Sequence, residues 1–281
     1  MRLKYLGTAA AEGIPGMFCT CAVCETARRL GGRDIRTRSQ ALADGRLLID
    51  FPPDTYLHAL HGGLDLPGIS ACLITHAHSD HLCPGELEYR IPGYAYKGAV
   101  GAYHREPLRV YATARAMEHI RAANIDGLES AGAVTLHEIR PFEPFSVDDF
   151  TVTALTADHA PETGPVCYII ERGGSAMLYA HDTGWFPEET WSCLARLPTR
   201  LRFVSMDCTE AAAGDYRNGH MCLAVNAQLR DRLLSLGRAD AETVFCANHF
   251  SHNGRLNHAE LVQAAAKYDF LVSYDGMEVS F

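Results

Sequence analysis

The sequence predicts an α/β sandwich, in which two β-sheets pack face to face and helices cover their outer surfaces. Three observations favour this architecture. Short apolar runs recur along the chain, helical patterns lie between many of them, and no repeat or low-complexity tract interrupts the order. A sheet in such a chain buries one face against a second sheet and the other against helices.

Twelve segments are predicted as strands because they are short and rich in β-branched or aromatic residues. In chain order they are 3–6, 46–49, 71–75, 108–112, 134–139, 150–155, 166–171, 176–180, 203–206, 243–246, 270–272 and 278–281. Helical patterns cover 24–29, 113–123, 187–195, 221–234 and 257–268. Asn257 is the predicted N-cap of the last helix, with Glu260 as its capping-box partner. The stretch 92–107, rich in Gly, Tyr and Ala, is predicted to be a long loop.

The composition is that of a globular protein. A chain of 281 residues with 47% apolar content can bury a sizeable core, and we predict one domain spanning residues 1–281. The net charge of −9 argues against binding a nucleic-acid backbone, which needs clustered Lys and Arg. No apolar run near the N-terminus is long enough for a signal peptide or a membrane span, so we expect a cytoplasmic protein that does not bind membranes.

The most informative motif is the run His76-Ala77-His78-Ser79-Asp80-His81, which follows the predicted strand 71–75. A strand end holds side chains on a rigid element while leaving them open to solvent. Neutral imidazoles and a carboxylate suit divalent transition metals. Four ligands this close in sequence cannot all reach one ion, so the run predicts two adjacent ions. A surface loop that is His-rich by chance is the alternative, and the clustering of ligand types disfavours it.

The run resembles the H-x-H-x-D-H signature of the metallo-β-lactamase superfamily, whose fold is an αββα sandwich. The resemblance implies three further ligands, each after a predicted strand, namely His159, Asp182 and His249. It implies one ion on His76, His78 and His159, a second on Asp80, His81 and His249, and Asp182 as the bridge between them. His181 is an alternative to Asp182, but a bridging ligand needs two oxygens.

The run Cys19-Thr20-Cys21-Ala22-Val23-Cys24 is a second candidate site. Three thiolates with C-x-C-x-x-C spacing suit one tetrahedral, structural zinc ion that needs a fourth ligand. His252 is the candidate, since it lies three residues after His249 on the same predicted loop. Three buried, inert cysteines are the alternative. The chain has ten cysteines, which we expect to be reduced in a cytoplasmic protein.

Several motifs resemble a smaller group, the PhnP-type phosphodiesterases of the tRNase Z-like branch, to which the PQQ biosynthesis protein B group is also related. They are Leu6-Gly7-Thr8, Gly13-Ile14-Pro15, the cysteine run, Met206-Asp207-Cys208, Arg217-Asn218-Gly219-His220 and Tyr274-Asp275-Gly276-Met277-Glu278. The resemblance implies hydrolysis of a small cyclic phosphate. It also implies that His220 contacts the phosphate or protonates the leaving oxygen, although a His at a helix start without a catalytic role is the alternative.

Two further features bear on the pocket. Asp50, after the strand 46–49, fits either a carboxylate that orients a ligand His or a buried turn-capping residue. The bulky Phe51-Pro52-Pro53 that follows departs from the small residue and Gly usual in the superfamily. Segment 86–107 contains Tyr89, Tyr94, Tyr96 and Tyr103, which either stack on a substrate, form a dimer contact or pack within a loop.

The expected function is hydrolysis of a small, cyclic phosphodiester by a hydroxide held between two divalent ions (Mn, Zn or Fe), with Asp80, Asp182 and His220 as catalytic residues. A lactonase, a thioesterase or an RNA-processing nuclease of the same fold could carry the same ligands. The nuclease is disfavoured, because it should have a basic RNA-binding arm and none is visible in this sequence. The ligands are also compatible with an iron-dependent protein related to PQQ biosynthesis protein B and with a non-catalytic zinc scaffold. The expected partner is a small molecule, and a homodimer is compatible with the resemblance.

Overall fold

Fourteen strands form two seven-stranded sheets in the computed structural model, which describes residues 1–91, 93, 106–123 and 127–281. The first sheet contains β1 (Arg2–Gly7), β2 (Gln40–Ala43), β3 (Leu47–Ile49), β4 (Ala71–Leu73), β5 (Leu108–Ala112), β6 (Val134–Glu138) and β14 (Glu278–Ser280). The second contains β7 (Pro144–Val147), β8 (Phe150–Thr156), β9 (Val166–Arg172), β10 (Ser175–Ala180), β11 (Phe203–Asp207), β12 (Val244–Asn248) and β13 (Leu271–Val272). Their orders are β14-β1-β2-β3-β4-β5-β6 and β13-β12-β11-β10-β9-β8-β7.

Within these described ranges, six α-helices flank the sheets, namely α1 (Ala22–Leu30), α2 (Thr55–His61), α3 (Ala114–Ala123), α4 (Glu188–Ala195), α5 (Leu223–Ser235) and α6 (His258–Ala265). One apolar cluster lies between the sheets and includes Tyr5, Tyr168 and Phe203. Two outer clusters pack α3 on the first sheet and α4, α5 and α6 on the second. The predicted αββα sandwich is therefore confirmed.

The strand directions bring several chain segments to one edge of the sandwich. Strands β3 to β6 are parallel, and so are β10 to β13. Strand β8 is antiparallel to β9, which is antiparallel to β10, so β8 points the same way as β10. The carboxyl ends of β8, β10, β11 and β12 consequently lie along one edge of the second sheet.

Three elements escaped the sequence prediction. Strand β2, Gln40-Ala41-Leu42-Ala43, has weak β-propensity but is completely buried between its neighbours, so tertiary packing determines its conformation. Strand β7 starts with Pro144, which a sheet edge tolerates. Helix α2 has seven residues and follows Pro52-Pro53, a pair that indicates a turn.

Helix boundaries shift by a few residues from the prediction. The helix predicted over 257–268 ends at Ala265 and continues as a 3₁₀ turn. Its capping box is confirmed: the Asn257 side chain accepts from the Glu260 amide at 3.0 Å, and the Glu260 side chain accepts from the Asn257 amide at 2.8 Å.

The predicted long loop lies almost entirely outside the described residues, and so do Tyr94, Tyr96 and Tyr103. Just before it, Pro84–Arg90 forms a 3₁₀ helix. In the part of the chain that the structure describes, no helix is long and apolar enough to cross a membrane.

Candidate dinuclear metal centre

The predicted ligands converge at the edge of the sandwich where β4, β8, β10 and β12 end. Three residues there, Asp50, Asp182 and His249, have left-handed backbone conformations with φ of 67°, 48° and 62°. Residues with a Cβ pay about 1–3 kcal/mol for such strain, which persists only when the surroundings enforce it and is common at functional sites. The chain therefore turns sharply wherever it presents one of these side chains.

The first ligand group consists of His76, His78 and His159. Nε2 of His76 lies 3.0 Å from Nδ1 of His78, and Nε2 of His159 lies 3.2 Å from that same atom. Two nitrogens on one tetrahedral zinc ion are roughly 3.3 Å apart when the Zn–N bonds are roughly 2.0 Å. Burial lowers the pKa of His76 well below its usual range, so its imidazole is neutral and able to ligate.

The second group consists of Asp80, His81 and His249, with Asp182 between the two groups. Nε2 of His81 lies 3.3 Å from Nε2 of His249 and 3.3 Å from Oδ2 of Asp80. Oδ2 of Asp182 lies 2.8 Å from Nε2 of both His81 and His249. Its other oxygen, Oδ1, lies 3.6 Å from Nε2 of His159. Asp182 thus contacts both groups, as a bridging ligand must.

The neighbouring His181 points away from this convergence. Its Nε2 lies 2.7 Å from Oγ of Ser205, and its ring is fully buried beneath the site. Oδ2 of Asp182, by contrast, is buried and receives no well-aligned hydrogen bond from the described residues, although Nε2 of His81 and Nε2 of His249 each lie 2.8 Å away. Buried polar atoms normally form aligned hydrogen bonds, so a buried oxygen with two ring nitrogens packed against it favours a cation at this point.

The charge balance of the site also fits cations. Asp50, Asp80, Asp182 and Asp207 are buried, and within the described ranges each of their ion pairs is with a histidine. Burial alone would lower the pKa of His81, but the carboxylates of Asp182, Asp80 and Asp50 raise it well above its usual range. Several buried carboxylates without Lys or Arg need positive charge from another source. Two divalent ions on the seven predicted ligands would supply it.

Three of the ligand imidazoles are held through their second nitrogen. Nδ1 of His81 lies 2.7 Å from Oδ2 of Asp50, whose Oδ1 accepts from the Thr75 amide at 2.8 Å. Nδ1 of His249 lies 2.8 Å from Oγ1 of Thr209, and Nδ1 of His159 lies 3.2 Å from the carbonyl oxygen of Gly219. Such partners fix the tautomer and orientation of a metal-binding His. Asp50 occupies the orienting position that the sequence suggested.

The bulky segment after Asp50 packs into the core. Phe51 is buried, its amide donates to the carbonyl oxygen of His81 at 2.8 Å, and it forms an isolated bridge with Leu82. The backbone of Phe51 therefore holds the end of the His-rich loop.

Asp207 also lies in the site. It belongs to one of the motifs that carry the resemblance, but it was not predicted as a site residue. Its Oδ2 accepts from the Asp182 amide at 3.0 Å and lies 3.2 Å from Nδ1 of His220. Burial would lower the pKa of His220, but Asp207 and Asp182 raise it to about 9. Nδ1 of His220 is also 3.9 Å from Oδ1 of Asp182, which places the imidazole beside the centre. The available signal was its position, since Asp207 follows a predicted strand as Asp182 does.

The four predicted ligands of the structural zinc also come together. Sγ of Cys19 and Sγ of Cys21 lie 3.4 and 3.6 Å from Nδ1 of His252, and the ligand atoms of all four residues lie within 4.8 Å of one another. A tetrahedral zinc ion separates sulfur from nitrogen by roughly 3.5 Å. Burial raises the pKa of the Cys21 thiol, but hydrogen bonds involving Cys24, Cys19 and His252 lower it to about 6, which favours the thiolate. The donor set fits zinc.

Comparison with known proteins agrees with the fold. Residues 46–264 match a family model described as a beta-lactamase superfamily domain. An octanoyltransferase from Porphyromonas gingivalis is 29% identical over 287 residues, which cover 99% of this chain and 51% of that protein. The chain thus spans about half the length of this curated relative.

The solved structures that resemble the whole chain include the following two. A diphosphatase of the PhnP family has a TM-score of 0.72 at 21% identity, and the match covers 100% of this chain and 98% of the other. Zinc-bound PqqB from Methylobacterium extorquens has a TM-score of 0.73 at 19% identity, with 100% of both chains covered. At these identities the similarity shows a common fold and not a common reaction.

Proposed function

Since this chain belongs to the beta-lactamase superfamily, we propose that it is a hydrolase with two divalent metal ions and that it cleaves a small, cyclic phosphodiester. The proposed ligands are His76, His78 and His159 for one ion, Asp80, His81 and His249 for the other, and Asp182 for both. When bound, two such ions activate water and neutralise charge on phosphoryl oxygens.

The pairing of His220 with Asp207 beside the centre is the observation that carries the proposal. Oδ2 of Asp207 accepts a hydrogen bond from Nδ1 of His220, so Nε2 of His220 remains for another partner. The His220 side chain is 25% exposed, whereas Asp207 is fully buried. An imidazole oriented in this way can donate from Nε2 to a phosphoryl oxygen or to the leaving alkoxide. The departure of an alkoxide from phosphorus benefits from such a proton.

Asp80 has a different role in the proposed reaction. Burial would raise its pKa, but the adjacent His81 holds it below the usual range, so Asp80 stays ionised. An ionised Asp80 serves as a ligand and accepts a hydrogen bond from the attacking water. Asp182 lies between the two ligand groups and would hold them at a fixed separation.

The test is release of phosphomonoester from bis-p-nitrophenyl phosphate and 2′,3′-cyclic nucleotides, with Mn²⁺ or Zn²⁺ added. We expect turnover by the wild type and by Asp231→Ala, a matched acid-to-alanine change at an exposed position on α5. Asp80→Ala should be inactive. Wild-type activity no higher than that of Asp80→Ala would contradict the proposal.

A specific observation favours a second candidate, hydrolysis of an acyl thioester. A curated relative that matches 99% of this chain, over 51% of its own length, is an octanoyltransferase. A cavity of about 380 Å³ also opens at the same edge of the sandwich, beside the loop that carries His159, and its walls include Ile139, Ala157 and Val166. This volume is within the range of about 300–1,000 Å³ of small-molecule sites. The cavity lies at the ends of β5 and β6. Because β4 is the neighbour of β5 and neighbouring strands are about 4.8 Å apart, the cavity is also near the end of β4.

Side-by-side assays separate the two candidates. A thioesterase should cleave octanoyl thioesters faster than acetyl thioesters, and Ile139→Trp should abolish that preference by filling the cavity. A phosphodiesterase should be indifferent to Ile139→Trp. Manganese or zinc without iron in protein purified without oxygen would exclude an iron-dependent redox protein.

We also propose that Cys19, Cys21, Cys24 and His252 hold one structural zinc ion. Support comes from the approach of four soft donors that are far apart in sequence, and from the partial exposure of Cys19 and Cys21, which argues against inert core cysteines. Measurement of zinc per chain in the wild type tests it.

A further inference from the structure

A buried polar pair, Gln40 and His58, lies behind the candidate centre. Gln40 is on β2 and His58 is on α2, and the side chains are 0% and 3% exposed. Neither residue belongs to the ligand groups described above. The pair is connected to the centre through Asp50.

The orientation of the Gln40 amide follows from its neighbours. Nε2 of Gln40 donates to the carbonyl oxygen of Asp50 at 2.9 Å and to Oγ1 of Thr55 at 3.0 Å. Oγ1 of Thr55 donates its own proton to the carbonyl oxygen of Pro52, so it accepts from Gln40. Both groups beside Nε2 are thus acceptors, and the amide cannot be reversed without placing oxygen against oxygen.

His58 completes the arrangement. Its Nδ1 lies 2.6 Å from Oε1 of Gln40, which only accepts, so Nδ1 carries a proton and donates it. Its Nε2 lies 2.7 Å from Oγ1 of Thr37. The hydrogen bond from Nδ1 thus fixes the orientation of the Gln40 amide.

Asp50 needs this support because of its backbone. Its φ of 67° is left-handed, and a residue with a side chain holds that conformation only when its surroundings impose it. The Asp50 amide donates to the carbonyl oxygen of Leu73 at 2.8 Å, while Gln40 holds its carbonyl oxygen. With both ends of the residue held, its carboxylate meets Nδ1 of His81 at 2.7 Å.

We infer that Gln40 and His58 are positioning residues of the metal centre: they hold Asp50 in its left-handed conformation and thereby aim His81 at the metal ions. The inference rests on the dinuclear centre proposed above. It assigns a role in that centre to two residues that contact neither metal nor substrate.

The test is Mn²⁺ binding, followed by electron paramagnetic resonance on intact protein whose cysteine site is loaded with zinc. Gln40→Glu keeps the shape and the acceptor facing His58 but replaces the donor to Asp50 with an oxygen. We expect it to weaken Mn²⁺ binding by about 10-fold or more, as loss of partners behind metal ligands typically does. The zinc content should stay unchanged, because the cysteine site is an internal reference that general unfolding would also empty.

Variants of His58 give an independent readout. His58→Asn retains an N–H donor near the position of Nδ1, whereas His58→Leu retains none. We expect His58→Asn to bind Mn²⁺ more tightly than His58→Leu. His61→Gln, on the exposed side of the same helix, should match the wild type.

The outcomes are distinguishable. Wild-type Mn²⁺ affinity in both Gln40→Glu and His58→Leu would overturn the inference. So would equal losses from both metal sites in proportion to lost folding stability, since the pair would then support only the fold. A wild type that binds no divalent ion at the dinuclear centre would instead overturn the proposed function.

Discussion

At the scale of single residues, the carboxylate of Asp207 contacts several parts of the site at once. Oδ2 accepts from the Asp182 amide and faces His220, and Oδ1 accepts from the amides of Thr209 and Met221 at 3.1 and 2.9 Å. One buried carboxylate thus positions the bridging residue and the candidate acid together. A change at Asp207 should therefore act through His220.

We predict that Asp207→Asn and His220→Ala each lower kcat for a diester substrate by about 100-fold, the lower end of the contribution of general acid catalysis. The double variant should lose little more than either single variant, because the two residues act as a unit. Steady-state kinetics on protein of verified metal content measures this. Multiplicative losses in the double variant would show that the two side chains act separately.

His58 gives a prediction of pH dependence. Burial lowers its pKa to about 4, whereas an exposed His titrates near 6.5. The unfolded chain therefore binds the proton more tightly, so this contribution to stability is complete above about pH 6.5 and is lost as the pH falls toward about 4. In metal-free protein we expect His58 to account for a fall of about 2 kcal/mol in the free energy of unfolding between pH 7 and pH 5. Denaturant titrations should show a smaller fall for His58→Asn, and an identical fall would contradict the assignment.

Sequence reasoning found the residues whose chemistry is visible locally. The run from His76 to His81 carries four candidate ligands in six positions, so its meaning did not depend on distant contacts. Gln40, His58 and Asp207 carry no such signal. Each is a single polar residue whose role arises from a partner that only the tertiary structure brings near, as when Gln40 reaches the Asp50 carbonyl oxygen.

At the scale of elements, the site depends on close contact between loops. Gly184 follows β10 and lies against the loops that carry His159 and His220. A Cβ there would overlap the carbonyl oxygen of Arg217 and the carboxylate of Asp158. The Asp158 carboxylate also accepts from the Gly219 amide at 3.0 Å, which joins the two loops. Only a residue without a side chain permits this approach.

Gly184→Ala should therefore separate His159 from His220 and destabilise the fold by about 1–3 kcal/mol, the usual effect of overpacking. Loss of activity should exceed what the loss of stability explains. Thermal unfolding and kcat measured together test this. Gly85→Ala is the matched control, because a Cβ at Gly85 meets no atom of the described residues within 4 Å, and it should behave as the wild type.

Element prediction succeeded where strands were both apolar and β-branched, and failed where packing determined the conformation. Strand β2 contains two Ala and one Gln, yet it pairs with β1 and β3 in the buried centre of the first sheet. The β-propensity of its residues did not predict a strand, because β2 is stabilised by neighbours that are distant in sequence. The fold class was still predictable, since enough other strands carried the pattern.

At the scale of the whole molecule, the cysteine cluster links the N-terminal segment to the loop after β12. The amide of Phe250 donates to the carbonyl oxygen of Thr8 at 2.9 Å, and the amide of Ala10 donates to the carbonyl oxygen of Phe250 at 3.0 Å. His249 and His252 flank this connection, one in each candidate metal site. Disrupting the cysteine cluster should therefore also weaken metal binding at the dinuclear centre.

Cys21→Ser should lose the structural zinc ion and about 2 kcal/mol of stability, which corresponds to a Tm lower by about 4–8 °C for a chain of this size. Metal affinity at the dinuclear centre should also fall, since the loop of His249 loses its anchor. Calorimetry and metal analysis measure both effects. Cys193→Ser, a change at a cysteine on α4 outside the cluster, should alter neither; a variant of Cys21 that keeps its zinc and its Tm would refute the link.

The division of the ligands between the two sheets has a mechanical consequence. His76, His78, Asp80 and His81 extend from the first sheet, while His159, Asp182 and His249 extend from the second. Ions bound by both sets would cross-link the two sheets at this edge of the sandwich and would resist any sliding of one sheet over the other. Binding to the native state alone adds stability by mass action. Amide hydrogens of β4 and β12, on opposite sheets, should therefore gain protection from exchange together when metal is added.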